Sequence, residues 1–332
     1  MWSNPLSLLV VAVIAAGLCL SILLTLLRTG WAWNIAVDVP NHRSLHERPV
    51  PRVGGWGVMP PVLLFIALYA PSLRMIALGA AVLAVVSQID DRRGLSARVR
   101  FAVHLVVVGV AVAIGATGIA WWFAVVIGVA LVWLVNLYNF MDGSNGLAGG
   151  MAVFGFATYA IAAAPVQPEL SLAAVAVAGA ACGFLLLNFH PARVFLGDAG
   201  SIPLGFLAGA LGFWGWQHGA WPLWFPALVF APFIADSTVT LLRRLARGEK
   251  FWQAHREHYY QRLVQMGWTH VRVALLYYLL MFAGSTIALI ARDLPVFGQW
   301  IAVLCWYAVL GVGGWRVDRR WRIRANEPSA KI

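Results

Sequence analysis

Eleven long stretches of continuous apolar sequence, separated by short polar loops, restrict this chain more than any other feature. They cover about 5–27, 56–71, 73–89, 101–118, 119–138, 148–164, 169–188, 202–217, 220–242, 271–291 and 296–315. A helix that crosses the hydrocarbon core of a bilayer needs about 20 mostly apolar residues. The stretches are continuous and rich in Ala, Leu, Val and Gly rather than alternating, which argues against a transmembrane β-barrel. The expected fold is all-α: a polytopic membrane helical bundle of about 11 transmembrane helices, forming one integral-membrane domain over residues 1–332. A count of ten is the alternative, because the second and third stretches meet at Pro71 and the fourth and fifth near Gly118. Charged residues make up only 11% of the chain, against about 25% in soluble domains. That excludes a soluble enzyme with a polar shell, and it excludes disorder.

The charge is lopsided: 24 Lys and Arg against 13 Asp and Glu give a net +11. In a soluble protein such an excess points to nucleic acid. In a membrane protein it reports threading, since basic residues stay on the cytoplasmic side. Met1 to Pro5 carry no basic residue and Arg28 follows the first stretch, so this stretch reads as an uncleaved anchor with its N-terminus outside. Eleven spans then put the C-terminus in the cytoplasm. On that threading only Arg74 and Arg292 lie outside, and 22 of the 24 basic residues lie inside. The excess is mainly topology, the first partner is the lipid bilayer, and no nucleic acid is required. Cys19, Cys182 and Cys305 sit within apolar stretches without paired spacing and read as core residues.

The unusual chemistry lies in five patches, all on the inner side of this topology. The loop at about 28–56 runs from Asp38 to Gly57 and combines His42, Arg43, His46, Arg48 and Arg52 with Gly54 and Gly55. Guanidinium forks and close backbone approach suit phosphate, and contact with anionic lipid headgroups is the plainer alternative. The loop at about 90–100 begins with Asp90-Asp91-Arg92-Arg93 and continues to Arg100. Adjacent carboxylates at a membrane boundary are costly without cations or a metal, and a helix end neutralised by Arg92 and Arg93 is the plainer alternative. The loop at about 139–147 holds Asn139, Asp142, Gly143, Asn145 and Gly146. Its oxygen-rich side chains suit a hard cation, and an Asn/Gly turn is the alternative. The loop at about 189–201 contains Phe195-Leu196-Gly197-Asp198. There Asp198 faces either a metal or the positive end of the following helix. Asp236 interrupts the ninth stretch, and beyond it the segment at about 244–270 carries His255-Arg256-Glu257-His258. On a helix the two histidines would share a face. Phosphate or sugar donors fit the basic context better than zinc, for which no third ligand stands nearby.

In this order the patches resemble the polyprenyl-phosphate N-acetylhexosamine-1-phosphate transferases. The Pro-Asn…Arg-Ser loop with its Gly-Gly, the Asp-Asp pair, Asn139-Phe140-Met141-Asp142-Gly143-Ser144-Asn145-Gly146-Leu147, and Pro191-Ala192-Arg193-Val194-Phe195-Leu196-Gly197-Asp198-Ala199-Gly200-Ser201 carry the likeness. It continues into the late basic loop and spans most of the chain. The resemblance implies transfer of N-acetylhexosamine 1-phosphate from a UDP-sugar to undecaprenyl phosphate with release of UMP, at the cytoplasmic face of a bacterial inner membrane. The late loop, with two histidines, is more similar to enzymes that initiate O-antigen and related surface polysaccharides, which take UDP-GlcNAc, UDP-FucNAc or UDP-QuiNAc. The phospho-MurNAc-pentapeptide transferase, with three histidines there, is the alternative.

The resemblance further implies Mg²⁺, with Mn²⁺ as a substitute, on Asn139 and Asp198. It places Asp90 and Asp91 near the lipid phosphate, where one accepts a proton or orients a basic neighbour, and it gives Asp142 the orienting of the catalytic network. Asn145 and Phe195 would hold uracil. His255, Arg256 and His258 would clamp the diphosphate or sugar, and Arg43 and Arg52 would support the anionic groups. Many relatives carry Lys where Arg100 stands, and an arginine cannot serve as a base. Related enzymes form dimers, so a homodimer is admitted. A transporter is the chief non-enzyme reading. It would place ionisable groups near the bilayer midplane, whereas His104 and Asp236 both lie close to the inner end.

Overall fold

All eleven apolar stretches are helical in the computed structural model, which describes residues 4–40, 48–250 and 255–326. The helices that correspond to them are α1 (Pro5–Arg28), α3 (Gly54–Tyr69), α4 (Arg74–Arg93), α5 (Ala97–Gly115), α6 (Trp121–Phe140), α7 (Leu147–Ala163), α8 (Pro168–Asn188), α9 (Asp198–Gln217), α10 with α11 (Phe225–Val229 and Ala231–Ala246), α13 (His270–Ala291) and α14 (Val296–Asn326). Two short helices lie in the loops, α2 (Trp31–Ile35) and α12 (Tyr259–Gln265). Among the described residues, sheet is limited to an antiparallel ribbon in which β1 (Val37–Asp38) pairs with β2 (Val50–Pro51). The protein is an all-α polytopic membrane protein.

Seven of these helices are long and apolar enough to cross a bilayer: α1, α4 with its preceding turn, α5, α6, α8, α13 and α14. Helices α3 and α7 are shorter apolar helices. The ninth stretch departs from a single span: Pro226 and Pro232 flank a break at Phe230, and the result is the pair α10 and α11. A proline supplies no N–H and clashes with the preceding turn, so two of them six residues apart tend to interrupt a helix. Both points left open at the junctions resolve as separate helices. A 3-10 turn at Pro71–Leu73 divides α3 from α4, and Gly118 in a left-handed conformation divides α5 from α6.

Helix α9 is the centre of the bundle, buried from Ala199 to Phe213. Around it pack α3, α4, α6 and α7, while α8 lies against α1, α3 and α7. The α1–α8 contact is made by small residues. A Cβ added to Gly179 would meet the backbone of Ala12, and one added to Gly183 the backbone of Ala16. Small residues four apart let two helix backbones approach closely, which is how helices associate where lipid supplies no hydrophobic drive. Substituting Gly183→Val is expected to destabilise the protein by about 1–3 kcal/mol through overpacking. Thermal unfolding of the detergent-purified protein checks this, as a lowered midpoint.

The orientation of the helices brings the loops together. Helix α4 starts at Arg74 and ends at Arg93, so about 25 Å separate Arg74 from the Asp90-Asp91 pair. Helix α13 starts at His270, which touches Ser144 of the Asn-rich loop, and ends beside Arg292. Arg74 and Arg292, the two basic residues assigned to the outer side, therefore lie at the opposite end from the polar loops. There each donates to a backbone oxygen, Arg74 to Ala67 and Arg292 to Ala162.

Candidate functional site

The site grows from two glycines. Gly54 and Gly55 open α3, and their N–H groups donate to the carbonyls of Phe195 and Leu196 at 2.8 and 2.9 Å. A Cβ on Gly54 would stand 2.7 Å from Leu196 Cα, and one on Gly55 would stand 2.5 Å from the backbone carbon of Ala199. Only glycine allows the first loop to lie flat against the strand-like segment that leads into α9. Phe195 N–H closes the contact on Pro51 O at 2.9 Å. Arg52 is thereby placed beside Asp198, the first residue of α9.

Acids and guanidinium groups alternate across this junction. Arg52 donates to Asp38 at 2.9 Å and to Asp91 at 3.4 Å. Arg100 donates to Asp90 at 2.9 Å, and the same nitrogen lies 3.9 Å from Asp198. The backbone N–H of Leu95 donates to the other oxygen of Asp90 at 2.6 Å. Asn139, at the end of α6, accepts from the Ser201 hydroxyl at 2.9 Å and is hydrogen-bonded to Asp198. The Asp-Asp pair thus orients two basic neighbours, Asp90 holding Arg100 and Asp91 holding Arg52. Asp91 Oδ2 is buried and has no hydrogen-bond partner, which is costly unless another group completes it.

Burial dominates the electrostatics of Asp142. Removal from water pushes this carboxyl well above the usual carboxylate range, and the nearby Asp198 adds to the shift. Asp198 is raised for the same first reason, partly offset by Arg52 and Arg100. Carboxylates crowded in this way favour binding of positive charge.

A second group of side chains borders the first. Tyr260, on α12, donates its hydroxyl to Phe140 O at 3.1 Å, and the α-carbon of Gly143 is so close beneath that hydroxyl that no side chain fits there. The His258 ring lies 6.2 Å from the Phe140 ring and 4.8 Å from the His255 ring. These histidines do not share a helix face as the spacing suggested: His258 is the N-cap of α12 and His255 precedes it in an irregular segment. His255 accepts at Nδ1 from the Glu257 N–H. Burial, then His258 and Arg244, hold it neutral, with its pKa pushed down to about 4. Arg256 is half-exposed and makes no ion pair among the described residues. Asn145 lies at the far side of the same loop, where its Nδ2 donates to His190 Nδ1 at 3.1 Å. Arg43 lies outside the described residues.

The His255 shift has a sign that a melt can read. An unfolded histidine takes up its proton below about pH 6.5, whereas the folded one does so only near 4. The unfolded chain binds more protons between these values, so this group's contribution to stability falls as pH falls from about 6.5 to about 4. The melting temperature is expected to drop across that window, and His255→Gln is expected to flatten the slope.

The five patches of the sequence are therefore one connected surface. Sequence reasoning passed over Asp38, Ser201 and Tyr260, although Asp38 and Ser201 stand at the edges of the quoted motifs. Their side chains do little by themselves and matter through Arg52, Asn139 and Phe140.

A helical membrane protein with an acidic and basic polar surface at one end of its bundle belongs to a small set of classes. The glycosyl transferase family 4 profile matches residues 73–215, from the start of α4 to near the end of α9. The probable undecaprenyl-phosphate N-acetylglucosaminyl 1-phosphate transferase of Bacillus subtilis is 30% identical over 284 residues, covering 79% of this chain and 78% of its own. The undecaprenyl-phosphate alpha-N-acetylglucosaminyl 1-phosphate transferase of Yersinia pestis is 27% identical and covers 86% of this chain and 85% of its own. The decaprenyl-phosphate N-acetylglucosaminephosphotransferase of Mycobacterium leprae is 28% identical, with 74% of each chain covered. The chain belongs to the polyprenyl-phosphate N-acetylhexosamine-1-phosphate transferase family.

Proposed function

We propose that this protein transfers N-acetylhexosamine 1-phosphate from a UDP-sugar to undecaprenyl phosphate at the cytoplasmic face of the bacterial inner membrane. UMP is the second product, and the lipid-linked sugar initiates a surface polysaccharide of the O-antigen type. The observation that carries the reading is the alternation of Arg52 and Arg100 with Asp91, Asp90 and Asp198, in a chain whose curated relatives are named for this transfer.

The chemistry follows from the charges. The lipid phosphate is largely ionised at neutral pH, because its second pKa is about 6. Its oxygen attacks the β-phosphorus of the donor, the new P–O bond forms, and the bond to the UMP oxygen breaks. Attacker and target are both anionic, so catalysis rests on positioning and on cancelling negative charge. Arg52, held by Asp38 and Asp91, and Arg100, held by Asp90, supply fixed positive charge without reorganisation. Asp90 and Asp91 act as orienting groups in this scheme and need not take a proton. Phe195 and Asn145 hold the uracil, and His255 contributes a neutral donor beside Arg256 and His258.

Mg²⁺ is the proposed cofactor, and Mn²⁺ can replace it. The donor set fits a hard cation: Asn139 and Asp198 present oxygens, and the buried Asp91 Oδ2 lacks any partner. Among the described residues no three His, Cys, Asp or Glu side chains form a metal group by themselves. That suits Mg²⁺, which commonly takes one or two protein oxygens and completes its shell with substrate phosphates and water. When bound, the ion neutralises the diphosphate oxygens on which charge builds.

The test is a donor panel. Purified protein, undecaprenyl phosphate and Mg²⁺ are incubated with UDP-GlcNAc, UDP-FucNAc or UDP-QuiNAc, and UMP is measured. Release with at least one donor, lost on chelation and restored by Mg²⁺ or Mn²⁺, is the expected result. No release with any donor rejects the reading.

A further inference from the structure

Two buried carboxylates outside the acidic and basic junction converge on α12. Asp236, in α11, is 3% exposed, and Asp318, in α14, is 6% exposed. Asp236 accepts from the backbone N–H groups of Tyr259 and Tyr260 at 2.8 and 3.2 Å, and from the hydroxyls of Thr240 and Tyr277. It also stands 3.4 Å from His258 Nδ1. Asp318 accepts from Arg243 at 2.6 Å, from Arg262 at 2.9 Å and from the Tyr259 hydroxyl at 3.1 Å. The same tyrosine is therefore held by Asp236 at its backbone and by Asp318 at its side chain.

Asp318 has no reason to be buried on account of α14 alone. Only 6% of the apolar part of that helix is buried within the protein, so most of it faces outward from the bundle. A carboxylate taken out of water is costly unless paired and hydrogen-bonded. Five arginines of its own helix surround Asp318 in the sequence, at positions 316, 319, 320, 322 and 324. An acid that merely balanced them would pair with them at the surface. Asp318 turns inward and pairs with Arg243 of α11 and Arg262 of α12. The segment it fixes, His255 to Arg262, reaches the Asn-rich loop through Tyr260 and Phe140 and carries Arg256.

We propose that Asp236 and Asp318 are positioning residues that hold the His255–Arg262 segment against the sugar diphosphate of the donor. The inference rests on the donor reading above. Neither carboxylate touches substrate: both act through α12, and the last membrane helix thereby becomes part of the donor site.

Two measurements on the full-length detergent-purified protein test this. The first is hydrogen exchange of the α12 amides, which needs no substrate. Asp318→Ala is expected to speed their exchange by tenfold or more, and unchanged exchange overturns the proposal. The second separates the two substrate constants. Asp318→Ala is expected to raise KM for UDP-GlcNAc, or for the donor the panel identifies, about tenfold, with KM for undecaprenyl phosphate unchanged within twofold. Tyr259→Phe, which removes one hydroxyl and keeps the fold, is expected to raise donor KM about threefold, and Asp318→Glu to recover part of the loss. A role limited to stability would lower the melting temperature and the amount of active enzyme, leave both KM values alone, and so contradict the proposal. Absence of UMP release by the unaltered protein would instead count against the donor reading, and the exchange measurement would still decide whether Asp318 holds α12.

Discussion

Replacing Asp198 with Asn is expected to lower turnover by about 10²–10³-fold, the range seen when one charge-stabilising group is removed from a preorganised site. Asp198 starts the central helix, is hydrogen-bonded to Asn139 and lies 3.9 Å from Arg100. Asn keeps the shape and the contact with Asn139 but removes the charge that attracts a cation and balances Arg100. The fold is expected to survive, because a carboxyl raised above its usual range loses little when neutralised. Turnover measured against Mg²⁺ concentration checks this. The variant is expected to need more Mg²⁺ and to reach a lower plateau. An unchanged Mg²⁺ dependence would remove Asp198 from the cation site.

Substituting Gly55→Ala carries the second large effect. The added Cβ would stand 2.5 Å from one backbone atom and 2.6 Å from another, in Ala199 and Gly200. Backbone cannot turn aside as a side chain can, so the first loop and the start of α9 must separate. That overpacking costs about 1–3 kcal/mol. The greater consequence is geometric: Arg52 and Asp198 are carried by the two segments that part. A displacement of about 1 Å at a positioned group can cost about 10²-fold in rate. Activity is therefore expected to fall far more than stability, and comparing UMP release with the melting midpoint shows whether it does. Gly30→Ala is the contrasting case. Its left-handed backbone is strained by a side chain, yet a Cβ there meets nothing, so it tests strain without the steric clash.

Much of the fold was legible because the bilayer imposes a length. Stretches such as 5–27 and 271–291 had to be helices of about one membrane thickness, and α1 and α13 are. The gathering of five polar patches was legible for the same reason, since alternate loops must emerge on one side. The break at Phe230 was harder to read. Its flanking prolines were visible, but a proline inside a membrane helix can also be tolerated, as Pro203 is within α9.

The pairing of charges was not legible. Arg52 and Asp91 are 39 residues apart and meet only because Gly55 lets the first loop press on α9. The resemblance left the Asp-Asp pair open between accepting a proton and orienting a basic neighbour, and in the structure each of the two holds an arginine. Asp318 was passed over because it stands in an arginine-rich tail that reads as threading signal. The clue was that it is the one acid among five arginines, and only the packing of α14 on α11 and α12 shows which arginines it chose.

The central claim is that the sugar travels with a phosphate. It is tested most directly with donor labelled by ³²P at the β-phosphorus, incubated with the purified protein, undecaprenyl phosphate and Mg²⁺. Attack on the β-phosphorus predicts that the label moves into the organic phase on the lipid and that the released nucleotide is unlabelled UMP. Label left in the aqueous phase as UDP, with an unlabelled sugar on the lipid, would mean attack at the sugar carbon and would contradict the account.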